Sequence, residues 1–263
     1  MKFRKAQLTV FIILAIILVV AGVLTYYVIK SSEENYFKNP DIKNKVDIVI
    51  NSIENCRKTS ADLSVLRIGL QGGYYEPPET YLDLGWMFIP FYYIDGKTMF
   101  PQIEIVQREL AKSYDLILND CINTIDSGEI EIITKPAKSS AIIESDKISF
   151  KSEMDYTLIL ENKKVNYNLN KFDFSNEYKL YDMYEIAKYI SESHNQNPPM
   201  LCMDCLVEMA NQRQLLVDFT SLADTKLITI SQESEDINDF SYQFLEKYKS
   251  ETESLVEGVD NEA

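Results

Sequence analysis

An apolar run without charged residues, Leu8 to Ile29, follows a basic cluster at Lys2 to Lys5 near the start of the chain. A helix rises about 1.5 Å per residue, so the run is long enough to cross a hydrocarbon core about 30 Å thick. The basic cluster precedes the run, and positive-inside bias therefore places Met1 in the cytoplasm. The sequence predicts a single-pass cell-membrane protein with an extracellular C-terminal domain.

A cleaved secretory signal peptide is the alternative, because it also begins with basic residues and an apolar stretch. The run is longer than the usual apolar region of such a signal, and Thr25, Tyr26 and Tyr27 stand where small residues precede a cleavage site. We therefore favour an uncleaved anchor. Tyr26 and Tyr27 are then aromatic anchors at the outer interface, and the lipid bilayer is the first predicted partner.

The chain beyond the apolar run is acidic. It holds all 41 acidic residues, and the whole chain has a formal net charge of −15. Such a charge disfavours nucleic acid and anionic lipid headgroups as partners. Hydrophobic residues make up 46% of the chain, with only eight Gly and eight Pro, which is typical of an ordered domain.

The hydrophobic periodicity predicts an α+β ectodomain in which long amphipathic helices pack on an antiparallel sheet. Five segments follow from these patterns: a cytoplasmic basic leader (1–7), a transmembrane helix (8–29), a tether (30–40), the ectodomain (41–248) and a disordered acidic tail (249–263).

Local signals place the elements of the ectodomain. Helices are predicted over 41–70, from Pro101 to Cys121, over 180–190 and over 202–212, and Asn195 to Pro199 breaks the third of them. Asp95-Gly96 predicts a β-hairpin. Strands are predicted over 129–134, 141–144, 147–151, 156–161, 165–174, 226–231 and 241–245.

Four cysteines in an extracytoplasmic domain indicate two disulfides. Three pairings are possible, and we favour Cys56 with Cys121 and Cys202 with Cys205. Cys56 and Cys121 each lie on the apolar stripe of a long helix, so packing the two stripes together brings their sulfurs into the core. Closing so long a loop stabilises a fold by roughly 4 to 5 kcal/mol in the chain-entropy model.

The Cys202-Met-Asp-Cys205 motif has three interpretations. A local structural disulfide is favoured. A redox-active pair is the first alternative, because the start of a helix lowers a thiol pKa, although the preceding strand of a thioredoxin-like unit is missing. A zinc site that also uses Cys56 and Cys121, or His194, is the second alternative. The sequence contains no second CxxC or HxxxH motif, which such sites usually carry.

The sequence contains only weak evidence for a catalytic, cofactor or metal site. His194 is the only histidine and is interpreted as a solvated loop residue, and no spacing of residues selects a catalytic group, a cofactor or a metal site. The aromatic segment around the predicted hairpin is interpreted as core, with ligand binding as the alternative. Its members are Trp86, Phe88, Phe91, Tyr92 and Tyr93.

Three segments carry a resemblance: KAQLTVFII (5–13), LQGGY (70–74) and LCMDCL (201–206). Together they resemble a family of uncharacterised single-anchor surface proteins of DPANN-type archaea, which implies an archaeal envelope location. The leader is also similar to that of archaeal type IV pilins, in which processing would leave Gln7 as the first residue. Phe11 stands where those pilins carry a glutamate.

These observations favour a non-enzymatic surface or envelope protein with a binding or scaffolding role and an envelope protein or polymer as partner. The aromatic hairpin and the acidic surface are the first places to look for that partner. One alternative is a pilin-like subunit that polymerises through residues 8–29. The other is a membrane-tethered thiol-disulfide oxidoreductase that uses Cys202 and Cys205.

Overall fold

The computed structural model describes residues 15–26, 39–145, 147–169, 172–174, 178–194, 201–232 and 240–247, without the side chains of 169 and 172–174. Over these residues the fold is α+β, with antiparallel pairing predominant, as the sequence predicted. The helices are α1 (15–26), α2 (Pro40–Leu70), α3 (Ile103–Asn123), α4 (Leu180–Ser193) and α5 (Met203–Gln212).

The first sheet has six strands, in the order β1-β2-β11-β10-β9, with β3 paired to β2. Their bounds are β1 Tyr81–Asp83, β2 Phe88–Ile94, β3 Lys97–Thr98, β9 Leu215–Leu222, β10 Thr225–Gln232 and β11 Ser241–Lys247. The pair β11–β2 is parallel, which corrects the expectation of a purely antiparallel sheet. The sequence also missed β1 and β9.

The second sheet is built on one long strand. Its members are β4 Glu131–Thr134, β5 Lys138–Ile143, β6 Ile148–Leu160, β7 Lys163–Leu169 and β8 Phe172–Phe174. The first half of β6 pairs with β5 and β8, and its second half pairs with β4, while β7 also pairs with β6. The two strands predicted over 147–151 and 156–161 are therefore a single strand.

The chain forms two compact units. The first comprises Met1–Glu54, Ile125–Lys135 and Asp155–Asn168, and the second comprises Asn55–Thr124, Pro136–Met154 and Leu169–Ala263. Both α2 and β6 contribute residues to each unit. In the second unit, α3 packs on β5: Asp115 and Asn119 accept backbone N–H bonds from Ser139 and Ala137 at 3.0 and 3.2 Å.

The glycines after α2 end that helix at Leu70, the last residue of the predicted helix. Gly72 and Gly73 have φ of 51° and 82°, conformations that glycine adopts without steric cost. The Gly73 N–H donates to the Ile68 carbonyl at 2.7 Å and the Gly72 N–H donates to the Gly69 carbonyl at 3.1 Å. These two bonds form a Schellman motif, which satisfies carbonyl groups that the helix end would leave unpaired.

The hairpin turn is also as predicted. Asp95 and Gly96 both have positive φ and connect β2 to β3, as a type I′ turn requires. The start of α3 differs slightly from the prediction, because the helix begins at Ile103 with Gln102 as its N-cap. Pro101 therefore precedes the helix instead of opening it.

The predicted anchor lies only partly within the described residues. Residues 15–26 form α1, and the apolar side chains described there are exposed. Within the described ranges, no helix has the length and apolarity that a membrane crossing requires. Leu8, Tyr27, Ile29, the break at Asn195 to Pro199 and the acidic tail lie outside the described residues.

Candidate functional site

The CxxC motif lies at the start of α5. Cys202 is the N-cap of this helix, and its Sγ accepts the Cys205 backbone N–H at 3.2 Å. The two residues are disulfide-bonded, with Cα atoms 5.3 Å apart, and both are exposed. A disulfide at an exposed helix N-terminus is accessible to an attacking thiol, and its reduced form would benefit from the helix dipole.

Exposed apolar side chains lie close to this disulfide in sequence. Met203 and Val207 are one helical turn apart on α5 and are 50% and 53% exposed, so they share one face of the helix. The adjoining face of α5 is buried through Leu206 and Ala210. A partner that approached the disulfide would therefore meet an apolar helix face.

The second disulfide is a structural connection between two helices. Cys56 of α2 and Cys121 of α3 are bonded, with Cα atoms 5.7 Å apart and a sequence separation of 65. Cys56 is only 5% exposed. Both pairings favoured from the sequence are present.

The zinc alternative lacks its ligands, because all four cysteine sulfurs are used in disulfides. In the part of the chain that the structure describes, no group of three or more His, Cys, Asp or Glu side chains is arranged to hold a metal ion.

The side chain of His194 is buried, so its interpretation as a solvated loop residue is wrong. The side chain is 8% exposed, and Glu246 of β11, 1% exposed, lies within hydrogen-bond distance. His194 Nε2 and Glu246 Oε1 are 3.1 Å apart, so the two side chains are hydrogen-bonded. The imidazole also stacks on Tyr93, with ring centroids 4.3 Å apart. This pair connects the end of α4 to the first sheet.

The aromatic hairpin divides into a buried part and an exposed part. Tyr92 is fully buried and Phe88 is 7% exposed, which agrees with their interpretation as core. Trp86, the only tryptophan of the chain, is 79% exposed. We call Tyr81, Leu82, Leu84 and Trp86 the β1–β2 apolar cluster, because each is at least 37% exposed and they lie on β1 or in the loop that follows it.

Such a cluster has the chemistry of a binding surface. Trp and Tyr are enriched among the residues that dominate binding energy at protein interfaces. The loop is shaped by Asp83, whose carboxylate accepts the Gly85 N–H at 2.7 Å, and by the Leu84 N–H, which donates to the Met87 carbonyl at 2.9 Å. Those bonds present Trp86 in a defined loop conformation.

Comparisons with protein-family models, with curated proteins and with solved structures find no match to this chain. The function proposed for it therefore rests on its own residues.

Proposed function

We propose that this chain is a membrane-anchored surface or envelope protein whose extracytoplasmic domain binds or scaffolds a partner protein. The observation that carries the binding role is the 79% exposure of Trp86 within the β1–β2 apolar cluster. Its four exposed apolar side chains lie within six consecutive residues, 81–86, which makes this segment the candidate interaction surface of the chain.

The extracytoplasmic location is supported by two features. The apolar run from Leu8 to Ile29 follows basic residues, as in a helix that leaves the N-terminus inside. All four cysteines are in disulfides, which persist in oxidising compartments outside the cytoplasm.

The partner-binding role is tested by photo-cross-linking in intact cells. A photoreactive phenylalanine analogue replaces Trp86 in one variant and Ile142 in a control, where Ile142 is 52% exposed on β5. We expect irradiation to produce a discrete adduct with an envelope protein from position 86 and none from position 142. No adduct from position 86, or the same adducts from both positions, would contradict the proposal.

A thiol-disulfide oxidoreductase is the second candidate function. It is favoured by the exposure of the Cys202–Cys205 disulfide at the N-terminus of α5, with Met203 and Val207 as an apolar face for a substrate protein. It requires this disulfide to be reduced reversibly at a mild potential. The pilin-like alternative depends on the leader, which lies outside the described residues, and stays a prediction.

A further inference from the structure

A cleft of about 450 Å³ lies in the first unit, on strands β4, β6 and β7. Its volume is in the range of about 300 to 1,000 Å³ that is common for small-molecule sites. Side chains alternate between the two faces of a strand, so Asp155 and Thr157 of β6 share one face. Asn166 and Asn168 share one face of β7 for the same reason.

Hydrogen bonds connect these four polar side chains across the strands. The Asn168 amide donates from Nδ2 to Asp155 Oδ1 at 2.6 Å, and the Thr157 hydroxyl donates to Asn166 Oδ1 at 2.8 Å. Lys135, which follows β4, donates from Nζ to Asp155 Oδ2 at 3.4 Å. The bonds from Asn168 and Lys135 lower the pKa of the Asp155 carboxyl, which is therefore ionised at neutral pH.

The strands under this network are held by an aromatic pair. Tyr156 and Tyr167 alternate with the polar residues along β6 and β7, and their rings stack with centroids 5.2 Å apart. Tyr156 is 4% exposed. Both tyrosines also contribute to the cleft lining. Because the polar side chains are hydrogen-bonded to one another, they are arranged before a ligand arrives, which reduces the entropic cost of binding.

The chemistry of the cleft selects the class of ligand. The ionised Asp155 disfavours an anion, and the Lys135 ammonium group beside it disfavours a cation. Asn and Thr side chains offer both donors and acceptors, and Ile133, 49% exposed, supplies an apolar surface in the cleft lining. A neutral sugar combines hydroxyl groups that both donate and accept with an apolar C–H face, so it matches each of these features.

We propose that this cleft binds a neutral carbohydrate, with Asp155, Asn166 and Asn168 as the groups that recognise its hydroxyls. The site goes beyond the partner-binding role of the β1–β2 apolar cluster and does not depend on Trp86. A surface protein with such a cleft would contact the neutral glycans of an envelope.

The test measures binding of defined sugars to the purified full-length chain in a detergent without a sugar headgroup. Saturation-transfer NMR and calorimetry use glucose, galactose, mannose and N-acetylglucosamine as probes, with glucuronate, inorganic phosphate and calcium chloride for comparison. We expect at least one neutral sugar to bind. Asp155→Ala and Asn166→Ala should each weaken it about tenfold, the effect of losing about 1.4 kcal/mol of hydrogen bonding.

Asp218→Ala is the matched control. Asp218 is an exposed strand aspartate that also accepts a threonine hydroxyl, that of Thr220, at 2.9 Å, and its replacement should leave the affinity unchanged. The proposal is overturned if no neutral sugar in the panel binds at millimolar concentration. It is equally overturned if Asn166→Ala and Asp218→Ala bind alike, or if only glucuronate, phosphate or calcium binds.

Discussion

Three polar groups deep in the second unit form a short chain of hydrogen bonds. The hydroxyls of Tyr92 and Tyr242 are 2.6 Å apart, and the Tyr92 hydroxyl donates to the Gly72 carbonyl at 2.7 Å. The Tyr242 hydroxyl therefore donates to the Tyr92 hydroxyl, which in turn donates to the Gly72 carbonyl. Burial raises the pKa of both tyrosines, so both stay protonated and neutral across the physiological pH range.

This arrangement predicts unequal costs for two matched substitutions. Tyr92→Phe leaves the Gly72 carbonyl and the Tyr242 hydroxyl without their partner and should lower the free energy of unfolding by about 1 to 3 kcal/mol. Tyr242→Phe keeps the Tyr92–Gly72 bond and should cost about 0.5 to 1.5 kcal/mol. Reversible chemical denaturation of both variants measures the order. A Tyr242→Phe variant less stable than Tyr92→Phe would contradict the assigned direction of the bonds.

His194 shows where single-residue interpretation fails. A histidine that follows a helix and precedes a polar stretch has the local signature of a solvated residue. Its partner Glu246 is 52 positions away, and only the docking of α4 against β11 brings the two together. No signal in the neighbourhood of either residue predicts this contact.

Among the secondary-structure elements, turns and helix ends could be predicted, because a few neighbouring residues determine their backbone conformation. The Asp95-Gly96 turn needs two positive φ angles, and the end of α2 needs glycine at Gly72 and Gly73, so both could be placed from residue identity. The strand β9 lies at one edge of its sheet and is mostly exposed beyond Leu215. Its apolar residues are Leu215, Leu216, Val217, Phe219 and Leu222. They do not follow the strict alternation of a half-buried strand, so the sequence missed it.

The long strand β6 was divided in two for a related reason. Ser152, Glu153 and Asp155 look like a polar break when their polarity is read residue by residue. In the structure Glu153 and Asp155 are exposed and Met154 and Tyr156 are buried, so the alternation of a half-buried strand continues through them. Ser152 is fully buried, although serine is mostly found on protein surfaces.

The two disulfides predict a redox experiment at this scale. The Cys56–Cys121 bond connects two helices and should resist the glutathione pool, with a potential below about −300 mV. We expect Cys202–Cys205 to behave as a structural disulfide as well. Equilibration of the purified chain with a glutathione series, followed by alkylation and mapping of each cysteine, measures both potentials in one sample.

Cys56–Cys121 is the internal control for that measurement, because its Cys56 is buried. Reversible reduction of Cys202–Cys205 at a mild potential, with Cys202 trapped in mixed disulfides, would overturn the structural interpretation. The oxidoreductase would then replace the binding protein as the leading function.

At the scale of the whole molecule, the α+β class could be predicted because helical and strand periodicities occupy different parts of the chain. The parallel pairing of β11 with β2 could not be predicted, because it joins strands that are far apart in sequence. The candidate site was only partly foreseen. The sequence indicates the aromatic hairpin as a candidate binding segment. It does not distinguish the exposed Trp86 from the buried Tyr92, because both are aromatic and their burial depends on the tertiary fold.

We propose that the N-terminal segment holds a disulfide-bonded domain outside the cell, and protease added to intact cells should therefore digest that domain. Non-reducing mass spectrometry of the released peptides should find Cys56 linked to Cys121 and Cys202 linked to Cys205, with a short N-terminal fragment left in the membrane. Survival of the intact chain under conditions that digest a control surface protein would contradict the extracellular location, and release of all four cysteines as free thiols would contradict the disulfide pairing.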